Sequence, residues 1–216
     1  MTRIAVFAPL ALLASFAFSG ATSAATITFD DLVMGATSYA FDGDGDGIKD
    51  VTFTTTDPAG FNTVGPGLNQ SYIAEPGLEG TSLLPTDLRI DFAKGPTGSL
   101  SFGFALDSLS ESPAYFANFR VYNAAGVLLA SKTVVGAYTV TPAGTSSFPE
   151  GVVSISFAGT TAYGLFDFTS ELGRYIIDDF TGNFGSVVPE PSTTALLLLG
   201  LCGLLTWRRG AASRRQ

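Results

Sequence analysis

Apolar residues at every second position recur along most of this chain, a rhythm that fits strands with one buried face and one wet face. In TITFDD (26–31), Ile27 and Phe29 alternate with threonine. DVTFTTT (50–56) repeats the device with Val51 and Phe53. LRIDFAK (88–94) puts Leu88, Ile90 and Phe92 on one side. SLSFGFAL (99–106) does the same with Leu100, Phe102, Phe104 and Leu106, and GVVSISFAG (151–159) with Val153, Ile155 and Phe157. ANFRVYNAAGVLLASKTV (117–134) reads as two strands around an Asn-Ala-Ala-Gly turn, and YGLFDFT and YIIDDFTGNF add strands near the end. About ten short strands broken by Gly, Pro, Asn and Ser predict an all-β sandwich or barrel. No amphipathic helix pattern competes between residues 25 and 188. Residues 57–87, rich in Gly and Pro, are expected to form a long folded surface loop with a short strand.

Such a body has to be held by its core, because the sole cysteine, Cys202, lies in an apolar run near the C-terminus. No disulfide is available to residues 25–188. Histidine is absent from the whole chain, which removes Ser-His-Asp and Cys-His catalysis and any histidine-ligated metal. Residues 25–188 hold six basic against eighteen acidic residues, a net charge of −12. That charge repels phosphate backbones, so no nucleic-acid partner is expected, and it favours cations.

The two ends differ from the body. After Arg3, Ile4 to Phe18 is almost unbroken apolar sequence, followed by the small residues SGATSAA. This is the layout of a secretory leader, predicting a signal helix over 1–24 and removal by signal peptidase. At the other end, Pro189 and Pro191 hold Glu190 extended, since the residue before a proline avoids the α region. An extended, accessible tripeptide suits recognition by a processing enzyme. An apolar run follows to Trp207, about 24 Å long as a helix and short for a ~30 Å hydrocarbon core. Trp207 is placed at the interface, and Arg208, Arg209, Arg214 and Arg215 on the cytoplasmic side.

Pro189-Glu190-Pro191, the apolar helix and the terminal arginines, in that order, resemble a PEP-CTERM sorting signal. The resemblance implies handling by a membrane exosortase in a Gram-negative bacterium that makes extracellular polysaccharide. The implied precursor is anchored in the inner membrane, and the mature protein is at the cell surface or in the extracellular matrix. The ITFDDL opening and IIDDFTGNF ending resemble the jelly-roll sandwiches that often precede such tails. The expected organisation is thus a signal peptide (1–24), a jelly-roll-like antiparallel β-sandwich (25–186) and a sorting segment with one short transmembrane helix (187–216).

One loop carries chemistry of its own. In DGDGDGIKDV, Asp42, Asp44 and Asp46 are spaced by two, and Asp50 takes the ninth place. Gly43, Gly45 and Gly47 allow the tight wrap that turns these carboxylates toward one centre. A hard dication with oxygen ligands relieves their repulsion, and Ca²⁺ suits them, with the Ile48 backbone carbonyl as a further ligand. The same residues also fit a solvated Asp-Gly turn without an ion. The spacing resembles the D-x-D-x-D-G-x-x-D loops of FG-GAP and related extracellular calcium repeats, which carries their ligand roles onto Asp42, Asp44, Asp46, Ile48 and Asp50. It departs from an EF-hand, since Phe53 stands at the twelfth place and strands flank the loop.

Weaker signals remain. Asp30-Asp31 and Asp178-Asp179 lie in the first and last strands, where one acid from each pair is able to share a second cation. Tyr39, Tyr72, Tyr115 and Tyr163 suit either sugar stacking or strand packing. The expected function is a non-enzymatic, exported surface or matrix protein associated with polysaccharide. The alternatives are a carbohydrate-binding module and, behind it, a glycoside hydrolase using two carboxylates, for which no particular pair stands out.

Overall fold

The structure is a computed structural model that describes residues 24–65, 67–80, 88–108 and 115–184. The expected signal peptide, apart from Ala24, lies outside these residues, as does the whole expected sorting segment with Pro189, Glu190, Pro191, Trp207 and the four arginines. Among the described residues no helix is long and apolar enough to cross a membrane.

Every regular element described is a strand. In chain order they are β1 (Ala25–Ile27), β2 (Ser38–Phe41), β3 (Val51–Thr54), β4 (Phe61–Asn62), β5 (Leu78–Gly80), β6 (Leu88–Phe92) and β7 (Thr97–Leu106). There follow β8 (Phe116–Tyr122), β9 (Leu128–Val135), β10 (Val140–Thr141), β11 (Gly144–Thr145), β12 (Glu150–Thr160), β13 (Tyr163–Phe168) and β14 (Tyr175–Gly182). One antiparallel sheet runs β12-β7-β14-β5-β4, with β1 also paired to β14. The other runs β2-β3-β6-β13-β8-β9, and β10 and β11 form a small separate hairpin. The protein is a two-sheet antiparallel β-sandwich, as the alternating pattern predicts.

The alternation maps onto burial. Leu88, Ile90 and Phe92 of β6 point inward while Arg89 is exposed. Phe119 and Val121 of β8 and Phe166 and Phe168 of β13 do likewise. The core between the sheets is aromatic, with Phe180 near its centre. Its ring meets Phe53 edge-on at 5.2 Å and Phe119 edge-on at 6.3 Å, and it stacks with Phe102 at 5.5 Å and Phe184 at 5.7 Å. Offset and edge contacts of this kind add to area burial.

Two features depart from simple alternation. In β14, Tyr175 and Ile177 face the core, but so does Phe180, because the pairing with β7 shifts between Asp178 and Thr181. Asp179 takes φ +51° there, and this bulge reverses the side-chain parity. The second feature is the outer face of the β12-β7-β14-β5-β4 sheet. Ala105, Ile176 and Ile73 form a small apolar cluster there, with Phe148 packed against it. The stretch around Tyr72 and Ile73, within the expected surface loop, forms this cover. Its backbone comes so close that the carbonyl of Tyr72 occupies the place where a side chain on Gly103 would stand.

Candidate functional site

The acidic loop closes a hairpin. β2 and β3 pair from Ser38↔Thr54 to Phe41↔Val51, and the Asp50 N–H donates to the Phe41 carbonyl at 2.8 Å. Between them the chain turns on its own carboxylates. Asp42 accepts from Gly45 N–H through Oδ1 (2.8 Å) and from Gly47 N–H through Oδ2 (2.9 Å). Asp44 accepts from Asp46 N–H, and Asp46 from Ile48 N–H. Gly45 and Gly47 sit at φ +70° and +85°, where any side chain is strained.

Asp42, Asp44 and Asp50 come together, each offering an oxygen within 4.8 Å of the others. Asp46 is not part of that group of three. Its Oδ2 lies 3.1 Å from the ammonium of Lys94, which also stands 3.1 Å from Asp44 Oδ2. Ile48 keeps its side chain exposed. Asp50 is fully buried; its Oδ2 accepts from Gly43 N–H at 2.8 Å, while its Oδ1 receives no hydrogen bond.

The charges favour a cation. Three carboxylates, those of Asp44, Asp46 and Asp50, face one ammonium, whose hydrogen bonds to Asp46 and Asp44 hold it protonated above its usual range. A buried carboxylate oxygen without a donor is costly unless a cation satisfies it. The donor set is all oxygen, as hard dications require, so Asp42, Asp44 and Asp50 could hold a metal ion. Lys94 was not legible in the sequence as part of this site. It lies two residues past the end of β6, the strand next to β3, and is positioned by a bond of 2.9 Å from Ala93 N–H to the Asp50 carbonyl.

The Asp30-Asp31 and Asp178-Asp179 pairs form no group of three or more acids among the described residues, although Asp30 lies near enough to Asp178 to raise its carboxyl. Asp31 accepts from the Tyr39 hydroxyl at 2.6 Å, and Asp30 from Thr28 at 2.7 Å. Asp178 is buried and accepts from Ala74 N–H of the covering loop and from Asp179 N–H. Burial pushes its carboxyl up to about 6, against those two bonds and with help from Asp179 and Asp30. Glu150, also buried, accepts from Ser71 and Tyr72 N–H. These carboxylates anchor the loop to the sheet.

The tyrosines are mostly engaged in packing. Tyr39 lies against Phe29 and Phe53, and its hydroxyl is raised well above its usual range by burial and then by Asp31. Tyr115 is buried and donates to Glu171. Tyr163 is stacked on Tyr122 at 4.9 Å and carries the Arg89 guanidinium 4.2 Å from its ring centre. Tyr72 is 43% exposed.

No curated protein matches the chain. Among solved structures, the K2 cleaved adhesin domain of Lys-gingipain is 17% identical, over 76% of this chain and 100% of that one, with a TM-score of 0.41. The K3 cleaved adhesin domain of Lys-gingipain from Porphyromonas gingivalis is 15% identical, over 74% and 98%, with a TM-score of 0.41. The carbohydrate-binding module TmCBM27, described for specific mannan recognition, is 12% identical, over 62% and 89%, with a TM-score of 0.40. Residues 187–215 match the PEP-CTERM protein-sorting motif, which marks this chain as an exosortase substrate.

Proposed function

We propose that this chain is a non-enzymatic exported protein whose sandwich is delivered to the cell surface or extracellular matrix, in association with extracellular polysaccharide. The observation that carries the reading is the PEP-CTERM motif at 187–215. In this reading residues 1–24 are removed by signal peptidase, and 187–216 hold the precursor in the inner membrane of a Gram-negative cell. Pro189-Glu190-Pro191 is the exosortase handle, and Trp207 with Arg208, Arg209, Arg214 and Arg215 sets the orientation. Residues 25–186 are the cargo, a sandwich with jelly-roll-like connections.

Asp42, Asp44, Asp50, Asp46 and the Ile48 carbonyl are the calcium ligands in this proposal. The ion supplies charge neutralisation at a hairpin end, a structural role. The engagement of the buried acids supports a non-catalytic body. Glu150 and Asp178 are committed to loop N–H groups, and Glu79 to Asn62 and Arg174.

Mass spectrometry of the protein from its native host tests the sorting reading. The expected product starts near residue 25 and lacks the residues after the Pro-Glu-Pro segment. Changing Pro189 and Glu190 to alanine is expected to leave the C-terminal segment attached. A cytosolic protein with both ends intact overturns the proposal.

A further inference from the structure

The covered face of the β12-β7-β14-β5-β4 sheet contains a cavity of about 250 Å³. Its polar wall comes from three strands or their ends. Arg174, just before β14, is ion-paired with Glu79 of β5, and its Nη1 lies 3.9 Å from Oδ2 of Asp107, just after β7. Glu79 is almost wholly buried, and its Oε2 accepts from Asn62 at 2.8 Å. It therefore fixes the guanidinium. The Asp107 contact is too long for a hydrogen bond, so the guanidinium and this carboxylate stand side by side, on two residues that line the cavity. The lining also includes the apolar Phe148, Ile176 and the exposed Val64.

We propose that this cavity is a binding site for one neutral pyranose unit, with Arg174 and Asp107 holding vicinal hydroxyls and Phe148 lying along the ring's C–H face. This rests on the polysaccharide reading above and assigns it a place. Size restricts the occupant to something as small as a single ring, because the volume falls below the roughly 300–1,000 Å³ of sites that take drug-sized ligands. Charge argues for it too. Glu79 and Asp107 outnumber the one guanidinium, and Glu171 lies near enough to act on Asp107, so the site is net negative, which disfavours phosphates and uronates and admits polyols. A carboxylate beside a guanidinium offers acceptors and donors to adjacent hydroxyls. Burial pushes the Asp107 carboxyl upward, against a hydrogen bond from Ser108 N–H and with help from Glu171, consistent with a partly dry site.

The test uses the full chain in a detergent without a sugar headgroup. Glucose, galactose, mannose and glucuronate are titrated while saturation-transfer NMR and the Arg174 side-chain N–H resonance are followed. At least one neutral hexose is expected to bind and to shift that resonance, with glucuronate about tenfold weaker or worse. Asp107→Asn and Phe148→Ala are each expected to weaken binding about tenfold, with circular dichroism reporting that they fold. If a variant does not fold, the Arg174 shift in the unaltered protein decides. No neutral hexose binding, or binding that leaves Arg174 and both variants unaffected, overturns the proposal. Cosedimentation with the host's polysaccharide separates the two readings. Equal retention of the unaltered protein and the variants sinks the cavity and keeps the association. Hexose binding without retention keeps the cavity and sinks the association.

Discussion

The Nζ of Lys94 stands 3.8 Å from Oδ1 of Asp50, a buried carboxylate oxygen that receives no hydrogen bond. The same ammonium is shared with Asp44 and Asp46. A tethered single charge thus stands among ligands suited to a divalent one, and a calcium ion there has to contend with it. Lys94→Ala is expected to lower the melting temperature in chelator and to bind Ca²⁺ several-fold more tightly by calorimetry. Asp50→Asn is expected to abolish the calcium-dependent rise in melting temperature. If chelation leaves the unaltered protein's melting temperature unchanged, the loop is a solvated turn.

Gly103 and Tyr72 give a second prediction. The loop's carbonyl lies where a side chain at 103 would go, so Gly103→Val has to lift the loop or bend β7. Overpacking of this kind costs about 1–3 kcal/mol. Glu150→Gln weakens the same attachment, since one of its two acceptor oxygens becomes a donor facing the N–H groups of Ser71 and Tyr72. Its cost is about 1–3 kcal/mol. Both variants are expected to be cut faster between residues 63 and 77 in limited proteolysis, at temperatures where the sandwich stays folded.

The contrast between these regions explains what the sequence could reveal. Strands such as LRIDF and SLSFGFAL were legible because period-two burial is a local property, and each side chain's face follows from its neighbours. The acidic loop was legible for the same reason, since its carboxylates cap N–H groups within five residues, apart from Asp50, which reaches back seven to Gly43. Lys94 was not, because it reaches the loop through strand pairing, 50 residues beyond Asp44. The loop's role as a cover was hidden as well. Its anchors Glu150 and Asp178 lie 79 and 104 residues from the N–H groups they hold. The bulge at Asp178–Asp179 leaves no compositional mark, so the inward turn of Phe180 was out of reach.

Phe180 is expected to be the costliest single core position. It meets rings from both sheets, among them Phe53 and Phe119 on one and Phe102 on the other. Phe180→Ala is expected to lose about 3–5 kcal/mol in urea unfolding, as buried aromatic truncations do. Phe180→Leu, which keeps more of the volume, is expected to cost less. Phe116→Ala, at an exposed ring, is the control and is expected to change little.

Asp178 supplies a pH dependence whose sign follows from burial. Its folded value of about 6 lies above the usual carboxylate range. Between about pH 4 and 6 the folded protein therefore keeps a proton that the unfolded chain has released. The group's contribution to stability falls as pH rises through that window, and its cost is fully present above pH 6. Asp178→Asn removes the titration while keeping an acceptor for Ala74 N–H. The difference in unfolding free energy between the variant and the unaltered protein is expected to move in favour of the variant from pH 4 to pH 6. It should then hold level to pH 8. A difference independent of pH shows that Asp178 is ionised throughout, and that the N–H groups of Ala74 and Asp179 outweigh its burial.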